Sequence, residues 1–331
     1  MKFRVIIASL LITTFCFYIT GCNGDKQIPE GGKADTASST SVDSVATAEW
    51  RAPDTSTLVK NDSGTLILYG KNLVANTATF FGPKGIINHN ANGMNCQNCH
   101  MEAGTRLYAN SFSAVQANYP KFRPRSGTVE HLEKRINDCF ERSMNGKKID
   151  SLSHEMQAMV AYINWVGKDV KKGEVPKGAS VIDLPYLSRA ADPAQGKKDF
   201  ETLCVTCHGE NGDGLLKPDQ VTYFYPPLWG PHSYNTAAGI YRMSRMAGYI
   251  KMNMPFARTI REKAVLTDEQ AWDIAAYVNS RPRPEKKFAA DWPDIKKKPV
   301  DYPFAPFADS FSEAQHKYGP YQEIADVSKK K

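Results

Sequence analysis

The sequence predicts an all-α protein made of two helical modules in tandem, followed by an irregular C-terminal extension. Three observations carry this. The pattern Cys-x-x-Cys-His occurs twice, as CQNCH at Cys96–His100 and as CVTCH at Cys204–His208. Each copy has an apolar segment of helical period before it and another behind it, so the chain reads as a diverged repeat. Helix-start signals also fall where a helix is needed: Asp192-Pro193 places a capping acid before a first-turn proline, and Thr267 with Gln270 forms a capping box.

Taken in order, residues 1–21 read as a leader. They start with Lys2 and Arg4, run through VIIASLLITTFCFYI and end in small residues before Cys22. This is the pattern of an exported chain, not of a membrane span. The segment ITGC resembles a bacterial lipobox. That implies cleavage before Cys22, a lipid on its sulfur and a location on the periplasmic side of a bacterial membrane. The alternative is a cut after Gly21 that leaves a free thiol. Residues 22–60 are rich in Ser, Thr, Gly and Asp and have little to bury, which describes a flexible tether.

The first module is expected over 61–175. LILYGKNLVANTATFFG leads into the first Cys-x-x-Cys-His, GTVEHLEKRINDCFERSM reads as a helix capped near Thr128, and SHEMQAMVAYINWVG closes the module. The middle helix has Val129, Leu132, Ile136 and Phe140 as its apolar stripe, and the closing helix has Met156, Met159, Val160 and Ile163 on one face. A linker near KDVKKGEVPKGAS leads to the second module, 176–282. There Ala271, Ala275 and Val278 suit a closing helix. Residues 283–331 form a Pro- and Lys-rich extension. Its Trp292 and Tyr318 to Tyr321 either wrap the body or dock a partner.

Length and composition agree with this layout. A chain of 331 residues has room for about two ordinary domains, and 41% hydrophobic with 23% charged residues is globular. The formal charge of +7 falls to +5 once Lys2 and Arg4 leave with the leader. That excess is too mild for a nucleic-acid binder, and the late lysines, Lys296–Lys298 and Lys329–Lys331, read as solvated surface.

In Cys-x-x-Cys-His the two thiols add across the haem vinyl groups and the histidine is held under the iron. Cys96, Cys99, Cys204 and Cys207 are therefore the expected attachment points of two covalent haem c groups, with His100 and His208 as proximal ligands. A shared zinc site is the competing reading. Ribbon-type pairs sit about 15–20 residues apart, whereas 104 residues separate Cys99 from Cys204.

Each iron then needs a sixth ligand. In the second module Met254, in IKMNMPFA, is the candidate, with Lys251 and Met252 as rivals. Met254 precedes the Thr267 cap by 13 residues; counting back from the equivalent Ser153, Cys139 lies 14 residues away and Met144 only 9. The repeat thus prefers the thiol. On a helix, Arg135, Arg142 and Ser143 share a face with Cys139, and two cations beside a thiol favour its thiolate. The bland reading is a small buried cysteine beside arginines paired to Asp138 or Glu141.

The segments NCQNCHMEAGT, YPKFRPRSG, RINDCFERSMNG and AQHKYGPY resemble those of the dihaem thiosulfate dehydrogenases, some of which run as tetrathionate reductases. ADPAQGKKDFETLCVTCHGENGDG resembles the opening of a class I cytochrome c domain, in which Gly196 and Phe200 pack the first helix on the last. The resemblance implies two tandem class I cytochrome c domains that interconvert thiosulfate and tetrathionate, with electrons exchanged with a partner cytochrome or other acceptor. It implies Cys139 as sixth ligand and catalytic group, Arg135, Ser143 and Arg125 as anion holders, and Met254 as ligand of the second haem. Arg142 joins them on helical spacing. Some relatives carry lysine where this chain has Asn253, so any role of that lysine does not transfer. Three rivals stay open: a lipid-anchored dihaem electron carrier without chemistry of its own, a dihaem peroxidase, and other sulfur-compound chemistry at a Cys-ligated haem.

Overall fold

The first helix begins where Asn61 turns its side-chain oxygen onto the Gly64 N–H at 2.9 Å, and it runs over Asp62–Ala75. Ser153 caps the helix His154–Val166 in the same way. These two helices cross at a glycine, since a Cβ on Gly70 would stand 1.9 Å from the Ala158 carbonyl oxygen. The second module repeats the device. Its helices Pro193–Leu203 and Asp268–Ser280 cross at Gly196, where a Cβ would lie 1.8 Å from the Asp273 carbonyl oxygen. Only a residue without a side chain allows backbones this close.

The computed structural model describes residues 49–256, 258–259 and 263–329. The leader, Cys22 and most of the expected tether lie outside the described residues. Among the described residues no helix is long and apolar enough to cross a membrane. Helices dominate, and the only sheets among these residues are two short antiparallel pairs.

All described residues belong to one compact unit that holds two large apolar cores and a small third one around Met101, Ala109, Val181 and Tyr249. The first is built from Leu73, Phe81, Phe140, Met156, Met159 and Tyr162. The second is built from Phe200, Met243, Trp272, Ile274 and Val278, and Tyr321 and Ile324 of the extension insert into it. Each fully buried side chain of this size contributes roughly 1.5–3 kcal/mol. The extension is thus seated on the body. Its Asp301, fully buried, accepts from Arg242 Nε at 2.6 Å and from the Ser244 N–H at 2.9 Å.

One expected boundary changes. The helix bearing Cys139 spans Leu132–Arg142, and Thr128–Glu130 is instead a strand paired with Lys121–Arg123. The hairpin turns through Gly127, whose φ of 67° suits glycine, and the β-branched pair Thr128-Val129 favours the extended form. Val129 is accordingly 61% exposed and leaves the apolar stripe to Leu132, Ile136 and Phe140, all buried.

Candidate functional site

Phe140 and Cys139 are neighbours in the chain but face about 100° apart on the helix. Phe140 is locked into the first core, edge-on to Phe81 at 5.2 Å. This turns Cys139 onto the wall of a cavity of about 220 Å³ that is also lined by Cys96, Cys99, His100, Met144 and Met159. The helix end is held by the other half of the molecule. Asn235 Nδ2 donates to the Glu141 carbonyl at 2.9 Å, the Asn235 N–H donates to that of Arg142 at 3.1 Å, and Lys286 Nζ reaches the Glu141 and Gly146 carbonyls. Carbonyls orphaned by the end of the helix are thereby satisfied, with a cation at its negative pole.

The surroundings of both Cys-x-x-Cys-His motifs suit a covalently attached haem. His100 Nδ1 is bonded to the Asn110 carbonyl at 2.6 Å, and His208 Nδ1 to that of Pro226 at 3.0 Å. A ring that donates through Nδ1 keeps the Nε2 lone pair for a metal. Asn110 reaches this position with a φ of 53°, a conformation asparagine tolerates. Burial pushes His100 down to about 4; the Asn110 carbonyl opposes this and the Arg135 charge adds to it, so the ring is neutral. His208 is lowered chiefly by burial as well. Burial pushes the Cys96, Cys99 and Cys204 thiols up to about 12, which marks apolar walls.

The second cavity, about 410 Å³, is lined by Cys204, Cys207, His208, Tyr234 and Met254. Lys251 is occupied elsewhere, donating to the Leu266 carbonyl at 2.7 Å and pairing with Asp268 at 2.8 Å. Met252 is not on the cavity wall. Asn253 is fully buried and gives its Nδ2 to the Tyr108 and Tyr249 carbonyls. Cys99, Met94 and Asn95 line both haem cavities.

A third cavity, of about 630 Å³, opens against the first and shares with it Cys139, Arg135, Ser143 and His100. Its walls carry nine cationic side chains, Arg123, Arg125, Lys134, Arg135, Arg142, Lys148, Arg242, Arg245 and Lys297, against four acids, Glu130, Asp138, Glu141 and Asp291. Arg242, Arg245 and Lys297 are answered by Asp301, Asp183 and Asp294 outside the wall, and the six remaining cations still exceed the four acids, which favours an anion. Arg135 Nη1 lies 3.5 Å from Cys139 Sγ. The adjacent sulfur raises the Arg135 pKa further, against the effect of burial. The five residues expected at the site, Cys139, Arg135, Arg142, Ser143 and Arg125, are therefore brought to one cavity.

Their duties differ. Arg142 grips Asp291 with both terminal nitrogens, at 2.6 and 2.8 Å, and lies 3.9 Å over the Phe288 ring. Arg125 gives its Nε to the same carboxylate at 2.8 Å and stands beside Trp292 and Tyr302. Burial works to raise the Asp291 pKa, but the hydrogen bond from Arg142 and the charges of both arginines outweigh it and hold it below the usual range. Asp291, Phe288, Trp292 and Tyr302 come from the extension, and the sequence carried no local signal of their part in this wall.

Comparison with known proteins gives a family. The SoxA/TsdA cytochrome c domain matches residues 88–171, and the cytochrome c family matches residues 193–282. A thiosulfate dehydrogenase of Psychrobacter arcticus is 35% identical over 247 residues, 74% of this chain and 72% of that protein. One from Allochromatium vinosum is 40% identical over 198 residues, 58% of this chain and 71% of its own. Among solved structures, the thiosulfate dehydrogenase (TsdBA) from Marichromatium purpuratum, in its as-isolated form, matches with a TM-score of 0.67 at 30% identity. That match covers 80% of this chain, which spans 55% of the length of the structure.

Proposed function

Because the chain belongs to the dihaem thiosulfate dehydrogenase family, we propose that it joins two thiosulfates into tetrathionate at Cys139, and runs the reverse reaction with a suitable partner. The observation that carries this reading is the shared wall: Cys139, with Arg135 Nη1 3.5 Å from its sulfur, belongs both to the first haem cavity and to the cationic cavity. Bound haems would supply two one-electron acceptors, matching the two electrons that the coupling releases, with an external redox partner as their destination.

The protein's own groups then have defined tasks. Two thiosulfate dianions at about 6 Å repel by roughly 11 kcal/mol at an effective dielectric of about 20, a crude upper scale. Arg135 and Arg125 offset this, since guanidinium groups hold oxyanions in a forked geometry, and the Ser143 hydroxyl adds a donor. Cys139 Sγ bonds to the outer sulfur of one thiosulfate as two electrons leave. The second thiosulfate attacks that sulfur, forms the central bond of tetrathionate and returns Cys139 unchanged. Met254, on the wall of the second cavity, is the side chain that would hold the second iron opposite the chain's His208.

Turnover measured side by side with thiosulfate, tetrathionate and sulfite is expected to show the first two interconverting and sulfite slow or inert. Sulfite turning over best would replace this reading with other sulfur chemistry. Met144, 3% exposed, lines the same cavity as Cys139, which favours a second reading in which a thioether closes the first iron and the protein only relays electrons. The electron paramagnetic resonance of the oxidised protein separates thiolate from thioether ligation.

In this reading the chain has a tether to residue 60, haem modules over 61–175 and 176–282, and an extension from 283. So is the anchor, in which Cys22 bears a lipid and holds the body at the periplasmic face of a membrane. Cys22→Ser is expected to move the protein from the membrane fraction to the soluble exported fraction. If it remains membrane-bound, the anchor proposal fails.

A further inference from the structure

We propose that Asp291, in the C-terminal extension, is a positioning residue of the substrate cavity, holding Arg125 and Arg142 in the arrangement that binds the anion. The inference rests on reading that cavity as the thiosulfate site. One carboxylate is shared by two guanidinium groups from different elements, Arg125 in the hairpin turn and Arg142 at the end of the Cys139 helix. Both terminal nitrogens of Arg142 are bonded to it, and Arg142 Nε, 3.7 Å from Asp138, is buried without a hydrogen bond. Arg142 therefore has no free fork for a substrate oxyanion. Its task is to fix the carboxylate.

Arg125 is held differently. Asp291 takes only its Nε, and its Nη2 is buried with no hydrogen-bond partner. A buried donor left without a partner is costly, and an oxyanion in the cavity would supply one. The backbone is fixed as well, because the Trp292 N–H donates to the Arg125 carbonyl at 2.6 Å. Phe288 beneath Arg142, and Trp292 and Tyr302 beside Arg125, are aromatic surfaces on which a guanidinium stacks. The extension thus supplies the carboxylate and the aromatic cradle, and the first module supplies the arginines.

A purely electrostatic role would have the opposite sign. Removing a negative charge from the wall would then tighten binding of a dianion, whereas removing a positioning group loosens it. In the full-length dihaem protein, Asp291→Asn is expected to raise the thiosulfate KM by about tenfold or more with a smaller change in kcat. Asp291→Glu should restore part of the loss, and the haem absorption spectrum should not change. Phe288→Leu, which keeps every charge, should raise KM in the same direction and keeps the test open if the asparagine variant does not fold. A KM that falls or stays the same in both variants overturns the proposal. Absence of thiosulfate turnover in the unaltered protein would instead overturn the functional reading on which it rests.

Discussion

Replacing Cys139 by serine is expected to leave both haems attached and to cut thiosulfate coupling and tetrathionate cleavage by about a thousandfold or more, the scale of losing a nucleophile. Serine keeps the size of the side chain and its place on the helix, so Phe140, Ile136 and Leu132 stay packed in the first core. What it removes is the sulfur, and with it both the sulfur–sulfur bond and a soft ligand for iron. Mass and absorption spectra would verify two haems, and the thiolate signature in the paramagnetic spectrum should vanish along with turnover. Activity within about tenfold of the unaltered protein would take Cys139 out of the chemistry.

Arg135→Gln is expected to lower kcat/KM for thiosulfate by about 10²–10³-fold, the equivalent of some 3–4 kcal/mol. Arg135 is the guanidinium that approaches the Cys139 sulfur, at 3.5 Å. Glutamine keeps polarity and most of the length but supplies no charge to set against two dianions. Arg135→Lys, which restores the charge without the planar fork, should recover only part of the loss. Steady-state kinetics across the three proteins checks this, and equal rates in all three would remove Arg135 from anion binding.

Local chemistry could be read from the sequence. The two Cys-x-x-Cys-His motifs, the Thr267–Gln270 capping box and the i−4 relation of Arg135 to Cys139 each lie within a few residues of chain, and helical periodicity converts such spacings directly into neighbours. Gly196 was legible because a cytochrome-like segment surrounds it. Gly70 does the same task in the first module, but the residues around it carry no such family pattern. The helix start at Leu132 was misplaced because Thr128 looks like a cap, and only pairing with Lys121–Arg123 makes it a strand. Asp291 is out of reach for a different reason: it lies 149 positions beyond Arg142 in the chain. No periodicity spans that distance. The irregular, proline-rich chain around Asp291 gives no reason to expect a half-buried carboxylate shared by two arginines.

The seating of residues 288–302 against the first module limits how this architecture can be inherited or re-engineered. The amino-terminal module cannot be moved as a cassette, since a copy grafted onto another cytochrome would carry its cysteine and arginines but leave their counter-charge behind. Recombination at the linker between modules therefore preserves the chemistry only when the last fifty or so residues travel from the same parent. The two halves of such a protein have to diverge together.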